Sequence, residues 1–351
     1  MIQQAVAKLV EGHELSSSEV DQSLEEIISG AATPAQTAGF LVALRGKGET
    51  ADELAAFAST FRRHSLKIHP VVSGRLVDTC GTGGDGAGTF NVSTISAIVA
   101  AGAGVHIAKH GNRSVTGKSG SADLLEGLGF NLAMEPSKVK ESIEQVGIGF
   151  MFAPVFHPAM RQVIPVRREL GIRTIFNLMG PLMNPAGADY QLLGVYSSSL
   201  TSKVASALQK LGTKEAMVVH AVEGMDEISV TGNTLVSWLR EGQVVSREHA
   251  PSEFGVGRVQ GMPPRISSVD EGARLVMEML GGSRRSDGSL ELVLVNAAAA
   301  IVLSGKASGF ADAVEDARRS IETGAAQKKL EGMVRMSGGS MESLEKHAAA
   351  R

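Results

Sequence analysis

Five glycines fall within eight consecutive positions, from Gly81 to Gly88. They separate a short apolar run, Leu76-Val77-Asp78-Thr79, from an Ala/Ile-rich stretch that starts near Ser93. A strand feeding such a loop and a helix leaving it restrict what the chain can build. Glycine reaches positive φ and lets the backbone approach a ligand closely. Successive N–H groups can then point into one concavity, and the following helix adds its positive N-terminal end. Asn91, Ser93 and Thr94 supply side-chain donors. The segment is read as a phosphate cradle; an ordinary strand-to-helix turn capped by Asn or Ser is the competing reading. No Gly-Lys-Ser/Thr ends the loop, and its glycine spacing differs from the dinucleotide fingerprint, so neither of those phosphate motifs applies. Asp85 is out of place in a phosphate cradle. It points to a metal ion or a sugar hydroxyl, or else to a solvated turn.

A second loop follows the next apolar run, Gly104 to Lys109. The stretch from Lys109 to Ser121 holds three cations, His110 and several small donors. Ligands of parallel α/β sheets sit at the C-terminal ends of strands, so both loops can face one ligand. A solvated basic loop is the alternative. Further on, Asp226-Glu227 offers two adjacent carboxylates of the kind Mg²⁺ accepts; alone, the pair reads more readily as an acidic hairpin turn, and the two phosphate loops upstream reverse that. Arg167 presents a planar fork suited to a carboxylate. A helix-surface ion pair with Glu169 or another acid is its alternative, and Arg168 and Arg173 are rivals by charge.

Around these loops the chain reads as two parts. Up to about residue 70 it is helical. Ile2, Ala5, Val6, Leu9 and Val10 share a face at the 3.6 period. Ser16 to Ser18 with Glu19, Thr33 with Pro34, and Thr50 with Glu53 are start signals for three more helices. From about residue 71 strand, loop and helix alternate, the βαβ signature. Gln191–Tyr196 and Ala216–Ala221 read as buried strands, 235–239 and 243–248 as a more exposed antiparallel pair, and Leu292–Leu303 as a buried helix. Residues 310–336 read as one or two amphipathic helices, and the polar stretch from 337 as a fraying tail. The expected fold is α/β: a small N-terminal helical domain (1–70) and a larger α/β domain (71–161 and 186–351) with a mostly parallel, mixed central sheet. A helical segment at about 162–185 joins them, with the ligand in the cleft between.

Composition excludes several classes. With 34 Lys and Arg against 37 Asp and Glu, the net charge of −3 gives no basic field for nucleic acid. Cys80 is the single cysteine, which rules out an intrachain disulfide and a cysteine zinc site. No apolar run is long enough to cross a membrane, and the N-terminus has no secretory pattern, so a cytoplasmic protein is expected.

The stretch Gly81-Thr-Gly-Gly-Asp-Gly-Ala-Gly-Thr-Phe-Asn-Val-Ser-Thr94 with Lys109-His-Gly-Asn-Arg113 resembles the anthranilate phosphoribosyltransferase family. The likeness extends through His157-Pro-Ala-Met, Arg167 to Pro185 and Gly224-Met-Asp-Glu-Ile-Ser229, covering most of the chain in order. It implies transfer of phosphoribosyl from phosphoribosyl pyrophosphate to the amino group of anthranilate, a step of tryptophan synthesis. By resemblance, Gly81, Gly84, Asp85, Thr89, Asn91, Val92, Ser93 and Thr94 hold phosphoribosyl pyrophosphate, together with Lys109, Gly117 and Ser121. Gly81, Asn112 and Arg167 contact anthranilate, with His110 and His157 along its channel. Ser93, Asp226 and Glu227 are implied as Mg²⁺ ligands, two ions per subunit. Asp85, Lys109, Asn112 and Arg167 carry the expected catalytic roles, and a homodimer through the helical domain is implied. Where many relatives have Ser-Ser, this chain has Thr116-Gly117, which loses one hydroxyl. Two alternatives within the fold are a pyrimidine nucleoside phosphorylase and a non-catalytic nucleic-acid-binding relative.

Overall fold

The computed structural model describes residues 1–86, 88–114, 119–282 and 287–348. Four helices come first: α1 (Ile2–Val10), α2 (Ser17–Ile28), α3 (Pro34–Lys47) and α4 (Ala51–Arg63). The last three begin on reciprocal capping boxes, Ser16 with Glu19, Thr33 with Gln36 and Thr50 with Glu53. Each satisfies two N–H groups the first turn leaves unpaired. Val10 departs from the predicted apolar face: it is 73% exposed, while Ile2, Ala5 and Leu9 are buried. At the last turn of a nine-residue helix the stripe has rotated off the core.

Then come β1 (Leu76–Gly81), α5 (Val92–Gly102), β2 (His106–Gly111), α6 (Ser121–Gly127), α7 (Pro136–Gln145), β3 (Ile148–Phe152) and the short α8 (Ala153–Phe156). The joining segment is not one helix. It divides into α9 (Ile164–Leu170) and α10 (Phe176–Leu182), because Gly171 ends α9 in the left-handed conformation at φ +61°. Next are β4 (Tyr190–Gly194), α11 (Thr201–Lys210), β5 (Glu215–Ala221), β6 (Thr234–Arg240) and β7 (Gln243–His249). Five helices finish the chain: α12 (Val269–Leu280), α13 (Ser289–Leu303), α14 (Phe310–Glu322), α15 (Ala325–Met336) and α16 (Met341–Ala348). The predicted fraying tail is therefore mostly α16. Leu344 anchors it in the core at 2% exposure, an apolar contact that its polar composition concealed.

The sheet has the order β3-β2-β1-β4-β5-β6-β7. The first five strands run parallel; β6 and β7 are antiparallel. Side chains alternate between two cores, as the pleat requires. On β5, Met217 and Val219 join the core under α5 and α13, whereas Ala216 and Val218 join the core shared by α1–α4, α10 and α11. The helical bundle thus packs continuously onto one face of the sheet. The strand β6 is more buried than the exposed hairpin predicted, because it sits between β5 and β7 and backs onto α11.

The strand order reverses beside β1: β2 and β3 lie to one side, β4 and β5 to the other. At such a point neighbouring connections leave in opposite directions and open a crevice at the strands' C-terminal ends.

Candidate active site

A cleft of about 1000 Å³ opens at that crevice. Gly81, Gly84, Asp85, Thr89, Asn91, Val92, Ser93 and Thr94 line it from the β1–α5 connection. Lys109, His110, Asn112 and Ser121 line it from the end of β2 and the start of α6. His157, Arg167, Asp226 and Glu227 complete the set of candidates it brings together. Gly117 lies outside the described residues. The cleft's other wall is the joining segment, including Met160, Ile164, Arg173 and Phe176, and none of residues 1–70 lines it. The expectation of a cleft between the two domains is corrected to that extent: the bundle packs against α9 and α10 and does not line the cleft.

The two loops are tied to each other. Asn91 Nδ2 donates to the Ser119 carbonyl (3.1 Å), and Ser119 Oγ donates back to Asn91 Oδ1 (3.3 Å). Gly83, Gly84, Gly86 and Gly88 all have positive φ, which the tight path of the loop requires. Lys109 is buried at the cleft floor, where its Nζ donates to the Thr79 carbonyl (2.5 Å) and Ser93 Oγ (3.3 Å). Burial pulls its ammonium below the ordinary lysine range, opposed chiefly by the charge of Asp78.

The carboxylates lie against the glycine loop and the start of α5. Asp226 Oδ2 accepts from Gly83 N–H (2.8 Å), and Asp226 N–H donates weakly to Asp85 Oδ2 (3.4 Å). Glu227 Oε1 accepts from Ser93 N–H (3.1 Å) at the start of α5. Glycine makes room for them. A Cβ on Gly81 would stand 2.5 Å from Asp226 Oδ2, and one on Gly194 would stand 1.5 Å from the Asp226 carbonyl. Burial, then the facing Asp85 charge, pushes the Asp226 carboxyl up; burial, then Asp226, does the same to Glu227. Among the described residues no three metal-ligating side chains form a complete cage. Magnesium needs none: it binds through one or two carboxylates, waters and substrate phosphates. Two crowded carboxylates beside a phosphate cradle fit that chemistry, and a bound dication would relieve their repulsion.

The histidines pack edge to face, ring centroids 4.9 Å apart. His110 Nδ1 lies 2.9 Å from the Gly180 carbonyl, while His110 Nε2 and both His157 nitrogens make no hydrogen bond. Burial, with the charge of His110, lowers the His157 pKa to about 3, and burial also lowers that of His110. Both rings are neutral at pH 7.

The guanidinium of Arg167 stacks over Phe176 (5.4 Å) and makes no ion pair among the described residues, so the ion-pair alternative falls. Arg168 does not line the cleft. Arg173 does: it donates to the Gly84 carbonyl and stacks over Tyr196 at 4.4 Å. Sequence reading had it only as a rival by charge. Arg265 was missed outright; it reaches the cleft through an isolated bridge with Thr89 that no local pattern announces.

Two family models match the chain: a glycosyl transferase family helical bundle domain over residues 3–65 and a glycosyl transferase family a/b domain over 73–327. The anthranilate phosphoribosyltransferase of Methanocorpusculum labreanum is 48% identical over 343 residues, covering 98% of this chain and 100% of that protein. The Saccharomyces cerevisiae enzyme solved in complex with PRPP and Mg superposes with a TM-score of 0.87 at 31% identity, covering 96% of this chain and 98% of its own. The same yeast enzyme in complex with 4-fluoroanthranilate gives 0.85 at 30% identity, with the same coverage. The fold is that of the glycosyl transferase family, and within it the chain belongs to the anthranilate phosphoribosyltransferases.

Proposed function

We propose that the cleft transfers the phosphoribosyl group of phosphoribosyl pyrophosphate to the amino group of anthranilate, releasing pyrophosphate. The names of the relatives agree with this reading and with neither the phosphorylase nor the nucleic-acid alternative. The observation that carries it is the meeting in one cleft of two N–H-rich loops, the Asp226–Glu227 pair and the ion-pair-free Arg167.

The glycine loop, the start of α5 and Lys109 bind the diphosphate with N–H groups and one ammonium. Ser93, Asp226 and Glu227 hold Mg²⁺, two ions per subunit, which neutralises charge on the leaving pyrophosphate. Arg167 takes the anthranilate carboxylate in its fork, and Asn112 lies beside it. The anthranilate amine is neutral at pH 7 and needs no strong base. The bond from ribose C1 to the pyrophosphate oxygen breaks as positive charge builds on the ring, the nitrogen lone pair forms the new C–N bond, and the amine then loses a proton. His110 and His157, being neutral, place no cation beside that developing charge. Catalysis comes from positioning and electrostatics, with no covalent enzyme intermediate.

No helix of the described residues is long and apolar enough to cross a membrane; the cytoplasm is the location this reading proposes. Exposed Val10 and Val42 on the bundle suit a homodimer through that domain, checked by analytical ultracentrifugation. Anthranilate fluorescence tests the function. It should decay on mixing enzyme, phosphoribosyl pyrophosphate and Mg²⁺, and persist with EDTA. Persistence with Mg²⁺ present would refute the reading.

A further inference from the structure

The loop bearing Asp226 and Glu227 leaves β5 at Ala221 and re-enters the sheet at Thr234. Residues 226–230 pair with no strand, so their backbone groups need other partners. Ile228, next to Glu227, finds both in one side chain. Its N–H donates to Asn296 Oδ1 (3.0 Å), and its carbonyl accepts from Asn296 Nδ2 (3.0 Å). The same Nδ2 donates to the Leu292 carbonyl one turn back on α13 (2.9 Å).

Asn296 is fully buried on α13, between Val295 and the run Ala297 to Ala300. Asparagine is a mediocre helix former, and a buried carboxamide is costly unless every group is bonded. Here the oxygen and both N–H donors of the amide are bonded, and it reproduces the two-bond pairing a neighbouring strand would give Ile228. The Ile228 side chain is itself buried, so the pinned residue has no room to turn. On the far side of the loop, Glu223 Oε1 accepts from the hydroxyls of Ser229 and Thr231, closing the base.

We propose that Asn296 is the positioning residue of the metal-binding pair: by fixing the Ile228 peptide groups, it sets the direction in which Glu227 and Asp226 leave the chain. This rests on the reading that these carboxylates hold the divalent ion. Asn296 does not line the cleft and acts only through Ile228.

Mn²⁺ binding in the presence of inorganic pyrophosphate, followed by electron paramagnetic resonance, tests it on full-length protein. Asn296→Leu and Asn296→Ala should raise the half-saturating Mn²⁺ on the order of tenfold, the usual cost of losing a partner behind a metal ligand. They should raise the Mg²⁺ requirement for turnover far more than they lower kcat at saturating Mg²⁺. Amide hydrogen exchange in peptides spanning Ile228 should accelerate. Asn296→Ala, which removes the carboxamide without adding bulk, carries the test alone if the leucine variant does not fold. Ser320→Ala is the control. It removes another buried bond, from Ser320 Oγ to the Val99 carbonyl (2.8 Å), far from the loop, and should leave Mn²⁺ binding unchanged. Asn296 variants that bind Mn²⁺ like the control overturn the proposal. Glu227→Gln separates the two readings: if it leaves Mn²⁺ binding unmoved, the metal assignment fails and this proposal with it. If it weakens binding while the Asn296 variants do not, only the positioning role fails.

Discussion

Glu53 in the helical bundle and Glu227 in the cleft are both buried, yet their surroundings differ. Glu53 meets the Lys47 ammonium at 2.8 Å and accepts from the N–H groups of Leu15 (3.0 Å) and Thr50 (2.9 Å). Glu227 has one N–H, that of Ser93, and faces a second carboxylate. The bundle satisfies its charges locally, and three of its helices begin on completed capping boxes. The cleft leaves carboxylates crowded, histidine nitrogens unbonded and an arginine without an ion pair. Unpaired buried polar groups are expensive, so a fold retains them where a ligand completes them.

The largest expected effect breaks the contrast from the bundle side. Glu53→Gln leaves the buried Lys47 uncompensated and should cost about 3 kcal/mol in urea unfolding, with kcat unchanged. Glu227→Gln is the mirror experiment. Activity at fixed Mg²⁺ should fall roughly 100-fold or more, the share a metal's charge stabilisation supplies. Thermal stability should hold or rise, because a repelling carboxylate is gone. A stability loss equal to that of Glu53→Gln would erase the contrast. Arg167→Met should raise the KM for anthranilate about 10- to 100-fold, the worth of a charge-assisted pair, and leave the KM for phosphoribosyl pyrophosphate alone. Arg173→Met should do the reverse through Gly84.

A pH titration sharpens the comparison further. His157 binds its proton at about pH 3 when folded, against about 6.5 for a free imidazole. Between those values the unfolded chain takes up a proton that the folded one refuses, so stability falls as pH drops through that window. His157→Phe should flatten this part of the stability curve, leaving the share of His110. An unchanged curve, measured by urea titration at pH 4 and pH 7, would place His157 in water.

The bundle was legible because its signals are local: a capping residue and its partner lie three positions apart. The glycine loop was legible for the same reason, its glycines being contiguous. Features set by rotation or by distant partners were not. Val10 falls off the buried face at the end of α1, α16 hides its anchor Leu344 among polar residues, and Gly171 splits a segment that reads as one helix. Arg265 in the cleft and Asn296 outside it come from far along the chain, 176 positions beyond Thr89 and 68 beyond Ile228. No spacing rule reaches them. Gly81 illustrates the middle case: sequence marks it as a loop residue, and only the packing shows that it leaves space for Asp226.

On the proposed reading, the turns at Gly81–Thr94 and Lys109–Ser121 share one diphosphate and its metal with Asp226 and Glu227. A crystal structure of this protein soaked with phosphoribosyl pyrophosphate and Mg²⁺ tests it most directly. Density for the diphosphate bridging both turns, with metal against the two carboxylates, is the predicted result; the sugar phosphate bound elsewhere, with both turns free of it, would contradict the account.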